Sequence, residues 1–287
     1  MSKKIVITGG LGYIGTELCK IYSGESWRNQ ITVIDNRFAS ERVNQLRNWS
    51  INFVHADIRD SKNVKHFLKE ADIIHHLAGI TDVARTKEES NFEKDKELND
   101  VAEKGTSVVL YESSENCKII FPSTHVIFEG KRDIEKDIEE DCEKFPVLSY
   151  GIGKDKNEEQ IKESKKNYVI LRLASVYGYS TDTMRLNIMP NLFSKISSQN
   201  GTIKLFAGGK QLKCLVPLVD AARCFKFMEE RDDIKFQTFN LSKDKVTVEQ
   251  VANICKKVNS KVKIVKTEDK IPNSGYALSN KKLLSKG

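Results

Sequence analysis

A glycine spacing constrains this chain more than any other feature. Thr8-Gly9-Gly10-Leu11-Gly12-Tyr13-Ile14-Gly15 follows a short apolar run at residues 5–7 and precedes a helical run through Leu18 and Ile21. Gly9, Gly12 and Gly15 recur at every third position. A strand that turns through glycines into a helix presents backbone N–H groups at the helix N-terminus. A pyrophosphate can approach them only where no Cβ intervenes. The last glycine lets helix and strand pack closely. A glycine triplet alone is weak, and the strand before it and helix after it give it meaning.

The alternation continues downstream. Residues 31–34, 52–54, 73–77, 118–121 and 168–173 read as strands. Between them, residues 64–68 and the long polar stretch at about 87–114 read as helical. Strands alternating with helices imply βαβ units and a mostly parallel, doubly wound sheet. Two segments interrupt the pattern. Residues 129–144 are nearly all charged and are expected to form an exposed loop beside the site. After Gly178 the alternation weakens and Gly and Pro recur, so residues 178–287 are expected to form a smaller α/β region. There, residues 237–241 read as a strand and 248–255 as a helix, and a strand and helix near 218–241 are expected to return to the core of residues 1–177.

Composition narrows the function classes. The 47 basic residues are interspersed with 40 acidic ones for a net charge of +7, without a basic block carrying interleaved aromatics. A solvated lysine-rich surface explains this better than nucleic-acid binding. No apolar run approaches the ~18 residues of a membrane span. The apolar run that starts the chain is shorter than a secretory leader's core, so no leader is expected. The six cysteines are scattered with no Cys-x-x-Cys pair. Reduced thiols in a cytoplasm are expected rather than a disulfide framework or a metal site.

Three further places carry chemistry. Asp35 ends the second strand about 20 residues after the glycines, where a carboxylate accepts hydrogen bonds from an adenosine ribose. Its charge would repel a 2′-phosphate, favouring NAD over NADP, with Arg37 nearby acting the other way. Asp57-Ile58 and Leu77-Ala78-Gly79 follow the third and fourth strands, and read as further wall of the same cofactor site. Tyr150 and Lys154 stand four apart, on one face of a helix. The ammonium is expected to lower the phenol's pKa, so that Tyr150 can take a proton from a substrate hydroxyl. Thr124 follows the fifth strand, at the sheet edge where open α/β folds bind ligands, and could hydrogen-bond the reacting oxygen.

Together these motifs resemble the NAD-dependent nucleotide-sugar epimerase/dehydratase family of extended short-chain dehydrogenases/reductases. The resemblance runs from Lys4 to about Leu284. The residues that carry it are the glycine motif at 8–15, Asp35, Asp57-Ile58, His76-Leu77-Ala78-Gly79, Ser123-Thr124, Tyr150 with Lys154, and Leu171-Arg172 through Val176-Tyr177-Gly178. It implies a Rossmann sheet and bound NAD, contacted by Gly9, Gly12, Tyr13, Ile14, Gly15, Asp35, Asn36, Asp57, Ile58, Leu77, Ala78, Gly79, Tyr150 and Lys154. It implies Tyr150 as general base and acid, Lys154 on the nicotinamide ribose, and Thr124 on the sugar oxygen. It places Thr81, Thr124, His125, Asn187, Leu205, Lys213 and Lys266 along a nucleotide-sugar substrate. It also implies a homodimer or higher homo-oligomer.

The departures are informative. Dehydratases of this family carry an Asp-Glu pair after the catalytic Thr, whereas this chain has His125-Val126. Lys213 and Lys266 stand where arginine is usual, and lysine meets phosphate as a point charge without the bidentate fork. Four functions are consistent with the sequence. The first is a nucleotide-sugar 4-epimerase. The second is a 4-dehydrogenase that releases the keto sugar, acting on a GDP- or UDP-linked hexose or heptose for a surface polysaccharide. The third is a 4-keto-sugar reductase, and the fourth a dinucleotide sensor without catalysis.

Overall fold

Strand β1 (Lys4–Thr8) is buried from Ile5 onward, as expected of a strand covered on both faces. Its side chains alternate. Ile5 and Ile7 pack with Leu18, Tyr22 and Phe225 on one side. Val6 packs with Ile58, Val64, Val101 and Val109 on the other. The two-residue period of a strand thus demands helices on both faces. The computed structural model describes residues 2–25, 28–81, 89–131, 134–181, 183–269 and 275–287.

In chain order the first half runs β1, α1 (Tyr13–Tyr22), β2 (Gln30–Asp35), α2 (Ser40–Asn48), β3 (Asn52–His55), α3 (Ser61–Glu70), β4 (Ile73–His76), α4 (Phe92–Glu112), β5 (Lys118–Thr124), β6 (Glu135–Ile138), α5 (Ser149–Glu163), β7 (Asn167–Leu173) and β8 (Ser175–Tyr177). The remainder is α6 (Met189–Ser198), β9 (Thr202–Leu205), β10 (Leu212–Pro217), α7 (Leu218–Glu230), β11 (Gln237–Leu241), β12 (Asp244–Thr247), α8 (Val248–Val258), β13 (Lys263–Lys266), β14 (Tyr276–Leu278) and α9 (Lys281–Leu284). The seven-stranded sheet has the order β3-β2-β1-β4-β5-β7-β11. All its pairings are parallel. This is the doubly wound α/β fold expected from the alternation, and the order reverses between β1 and β4. The sequence strand at 237–241 is β11, the outer strand beside β7, and α7 packs on α1.

Smaller sheets lie beyond it: β12-β10-β8, β13-β9 and β14-β6. A separate cluster of Phe193, Ile203, Leu205, Leu215, Val251, Ala252 and Val262 holds α6, β9 and α8 together. Helix α8 starts with a reciprocal cap, in which Thr247 Oγ1 accepts from Gln250 N (3.2 Å) and Gln250 Oε1 accepts from Thr247 N (2.7 Å).

The charged segment at 129–144 departs from the expected loop. It contains β6, paired in parallel with β14, and buries Ile138 in the main core. Glu140 also docks, accepting Asn240 N on Oε1 (2.7 Å) and Arg172 Nη1 on its carbonyl (2.6 Å). The apolar anchors, Ile138 and the partly buried Cys142, stand hidden among charges. Arg132 and Asp133 of this segment, and residues 87–88 of the expected long helix, lie outside the described residues. All six cysteines are free, with Cys19, Cys117 and Cys214 buried.

Candidate active site

The crevice where the sheet order reverses is built first from backbone. Gly9 has φ +70, and a Cβ on it would lie 2.7 Å from the Ala78 backbone N and Cα. A Cβ on Gly15 would lie 2.5 Å from the Gly9 carbonyl. The loops after β1 and β4 therefore touch, with α1 drawn tightly against them. Helix α1 begins after Gly12 with no side-chain cap, so its first N–H groups have no intrahelical acceptor. Such an end attracts an anion.

Side chains pin this cradle from behind. Ala78 N donates to Thr8 Oγ1 (3.1 Å), which lies 3.0 Å from His76 Nδ1. His76 Nε2 lies 3.0 Å from Thr106 Oγ1 on α4. Burial, aided by the charge of Lys154, pushes the His76 pKa down to about 3, so the ring is a neutral strut. Asp35 is buried at the end of β2, where Oδ2 accepts from Leu11 N (3.0 Å). Arg37 reaches back to it, with N to Oδ1 at 3.0 Å and Nη2 to Oδ2 at 3.3 Å. Asp57 accepts from Arg59 N (2.8 Å), and the Arg59 side chain holds its carboxyl below the usual range despite partial burial.

Thr124, Tyr150 and Lys154 come together at the end of β5. The β4–β5 ladder stops at His75 and Ile120, while β5–β7 continues to Thr124. A proline is therefore tolerated at position 122, where the β4 side is already open. Lys154 is buried on α5, donates from Nζ to the Pro122 carbonyl (2.8 Å), and lies 4.3 Å from the Phe121 ring centre. Burial pushes its pKa down to about 7, against the pull of Glu158. Tyr150 is half-buried one turn earlier. Its pKa is raised by burial, while Arg185 and a hydrogen bond with Thr124 act to lower it. This corrects the expectation that Lys154 lowers Tyr150: the groups that act to lower it are Arg185 and Thr124, and burial outweighs both.

Behind the trio lies a buried polar set. Glu158 receives Arg172 Nη2 (2.8 Å), Arg172 Nε (2.9 Å) and Ser123 Oγ (2.5 Å). Burial works against its charge, yet these donors hold the carboxyl below the usual range. The sequence signal for Glu158 is its place four residues after Lys154 on the same helix face.

The opposite wall comes from the second half of the chain. Tyr13 Oη donates to the Gly178 carbonyl (2.5 Å) and accepts from Asn191 Nδ2 (3.2 Å). Asn191 Oδ1 accepts from Gly178 N (3.0 Å), so Asn191 fastens the turn after β8 onto α1. Asn187 and Arg185 line the cavity from that turn. His125 is held at both nitrogens, Nδ1 at 3.0 Å from Tyr276 Oη and Nε2 at 3.2 Å from Ser175 Oγ. Burial, then the charge of Lys213, push its pKa down to about 3. Asn191, Arg185, Ser175 and Tyr276 went unflagged in the sequence, since nothing local marks a partner that arrives from a distant strand.

These surfaces enclose a cavity of about 1100 Å³. That exceeds the ~300–1,000 Å³ of an ordinary small-molecule pocket and leaves room for two ligands. It is lined by Gly9, Gly12, Tyr13, Ile14, Gly15, Asp35, Asn36, Asp57, Ile58, Leu77, Ala78, Gly79, Thr81, Thr124, His125, Tyr150, Lys154, Asn187 and Lys213. Two expected substrate residues are not among them. Leu205 is fully buried in the α6–α8 cluster, because its place on β9 turns it inward while Phe206 points out. Lys266, on β13, is exposed and pairs with Glu249 (2.6 Å).

A model of the NAD dependent epimerase/dehydratase family matches residues 5–242. The chain is 24% identical over 282 residues to a UDP-N-acetyl-alpha-D-glucosaminuronate decarboxylase of Bacillus cytotoxicus, covering 92% of this chain and 83% of that protein. It is 24% identical over 278 residues to a UDP-glucose 4-epimerase of Mycoplasma genitalium, covering 89% and 81%. Its fold is similar to the crystal structure of a UDP-glucose 4-epimerase from Thermotoga maritima with UDP-glucose, with a TM-score of 0.83 and 20% identity over 98% of this chain and 91% of that one.

Proposed function

The chain belongs to the NAD-dependent epimerase/dehydratase family, and from that premise we propose that it oxidises C4 of a nucleotide-activated sugar and acts as a nucleotide-sugar 4-epimerase. It is an enzyme of that family, and NAD is its cofactor. The observation that carries the reading is the meeting of Thr124, Tyr150 and Lys154 on one side of a cavity whose other side is the glycine cradle.

The cradle fits a dinucleotide. The amides after Gly12 suit the pyrophosphate, and Asp35 and Asn36 the adenosine ribose. Asp57 and Ile58 suit the adenine, and Leu77, Ala78 and Gly79 the central stretch. Bound NAD would supply a reversible hydride acceptor at C4. In our reading Thr124 orients the C4 oxygen. Tyr150 removes its proton and later returns it, and Lys154 holds the nicotinamide ribose. To take that proton Tyr150 must first give up its own to solvent; burial opposes the phenolate, and Arg185 and the hydrogen bond with Thr124 favour it. Thr81, His125, Asn187 and Lys213 hold the sugar and diphosphate. His125 is neutral and fastened at both nitrogens, which suits a spacer and disfavours water elimination by an acid–base pair at this position.

Residues 1–177 form the cofactor unit in this proposal, and 178–287 mainly the substrate unit. No helix among the described residues is long and apolar enough to cross a membrane. A cytoplasmic homodimer is proposed, formed through α4 and α5, where Phe92, Tyr111 and Ile152 are exposed.

The test is incubation with UDP- and GDP-sugars, with and without added NAD, following reduced-nicotinamide absorbance and products by NMR. A 4-epimer without lasting NADH supports the epimerase. A 4-keto sugar accumulating with matching NADH would replace it by a 4-dehydrogenase. Silence across the panel would remove both.

A further inference from the structure

We propose that Glu158 is a positioning residue for the C4 oxidation, fixing through the Ser123 hydroxyl the end of β5 that carries Thr124; this rests on the reading above. Helix α5 presents Tyr150, Lys154 and Glu158 at successive four-residue steps, along one face. Each meets a different residue at the end of β5. Tyr150 hydrogen-bonds with Thr124, Lys154 Nζ donates to the Pro122 carbonyl (2.8 Å), and Ser123 Oγ donates to Glu158 Oε1 (2.5 Å).

This end of β5 needs such a hold. The β4–β5 ladder stops at Ile120, so beyond it the strand is paired on the β7 side alone. Pro122 has no N–H to give to either side. Thr124 ends the strand, and its Oγ1 accepts from Val126 N (3.2 Å), which starts the turn that follows. The Thr124 side chain is thus tied to its local backbone and moves with it.

Glu158 is a fixed acceptor for that backbone's neighbour. It is fully buried, and Arg172 meets it with both donors of a planar pair, Nε to Oε1 (2.9 Å) and Nη2 to Oε2 (2.8 Å). Such a pair sets direction as well as distance. Arg172 stands on β7 opposite Ser123 in the parallel register, and its Nη1 is held by the Glu140 carbonyl (2.6 Å). Ser123 therefore donates to an ionised carboxylate, a bond about twice as strong as a neutral one. A buried ion pair adds little net stability over apolar packing. What this one adds is a directed acceptor one residue away from Thr124.

The experiment is steady-state kinetics of the full-length, NAD-saturated protein on the nucleotide sugar that the panel identifies. Ser123→Thr and Ser123→Val have the same shape and differ only in the hydroxyl, so any steric effect of the added bulk is common to both. Ser123→Thr is expected to exceed Ser123→Val in kcat by about tenfold or more, since misplacing a reacting group by about 1 Å costs up to about 10²-fold. KM should agree between the two within about twofold, because the contact acts on the chemical step and not on binding. With Glu158→Gln added to each, the Thr-over-Val ratio should shrink to about threefold, because a neutral acceptor bonds about half as strongly. Should the guanidinium left unpaired prevent folding, Glu158→Gln is combined with Arg172→Gln. Equal kcat for the Thr and Val variants would overturn the proposal, even if their stabilities differ, and would leave Glu158 a structural residue. A ratio untouched by the change at Glu158 would overturn it too, since Glu158 would then not be the anchor. Wild-type turnover with either of these results sinks this inference alone. Failure of every sugar to react sinks the C4 reading with it.

Discussion

The cofactor cradle and the wall opposite it both hold polar groups against one cavity, but from different kinds of contact. In the cradle the partners are backbone groups and short side chains on neighbouring parallel strands. Leu11 and Asp35 are 24 residues apart, and Thr8 and His76 are 68 apart. On the opposite wall the spans are longer: 104 from Arg185 to Thr81, 151 from His125 to Tyr276 and 165 from Tyr13 to Gly178. A local motif can specify the first kind of surface. The second exists only once the chain has folded back on itself, so its side chains can change while the cradle stays the same.

The largest expected effect lies where the two surfaces meet. Tyr150→Phe should lower kcat by about 10²–10⁴-fold, the usual contribution of a general acid–base group. NAD affinity, measured by fluorescence titration, should be little changed. Retained activity would remove Tyr150 from the chemistry.

Leu205 separates a structural role from a binding role in the second region. Leu205→Ala should cost about 2–5 kcal/mol in urea unfolding through the cavity it leaves. The KM for the sugar nucleotide should be unchanged, and a selective rise in KM would return Leu205 to the binding site. In the cradle the corresponding probe is Gly15→Ala. The new methyl meets the Gly9 carbonyl at 2.5 Å. Stability should fall by about 1–3 kcal/mol, as for overpacking, together with weaker NAD binding. Unchanged NAD affinity would mean the loop tolerates displacement.

Lys154 gives a pH-dependent test. Its folded pKa is about 7, well below the ~10.4 of a free lysine. Between those values the unfolded chain binds more protons, so this residue makes folding stability rise with pH over that window. In Lys154→Met the contribution is absent. In NAD-free protein, the stability difference should move towards wild type by about 1 kcal/mol or more from pH 7 to pH 10, the equivalent of roughly one pKa unit. A flat difference would mean that Lys154 titrates as a solvated lysine.

The smallest effect is expected at Lys266, whose pair with Glu249 is exposed. Lys266→Ala should change stability by less than about 1 kcal/mol and leave KM alone. A large rise in KM would show that β13 reaches the substrate after all.

The same contrast explains what could be read from sequence. The inner strands of the main sheet are legible because both faces are buried, leaving near-continuous apolar runs, whereas the edge strand β3 is part-exposed and gives a weak signal. That the glycines, Asp35, Asp57, Thr124, Tyr150 and Lys154 face one cavity follows from spacing, because each sits at a strand end or on one helix face. Leu205 and Lys266 were misplaced because the strand direction that turns one inward and the other to solvent depends on β9–β13 pairing, which no local pattern announces. Segment 129–144 has the pattern of a loop because its two core contacts, Ile138 and Cys142, are spaced among charges. Arg172 stands in the sequence as part of the family motif, but its partner Glu158 lies on a different element and no spacing links the two.

The most direct test uses a nucleotide sugar deuterated at C4, from the pair that the panel identifies. If Tyr150 and bound NAD act at C4, the 4-epimer should keep its deuterium at C4, carried off and returned without exchange with water. Replacement of that deuterium by a solvent proton, or turnover at another carbon, would contradict oxidation at C4.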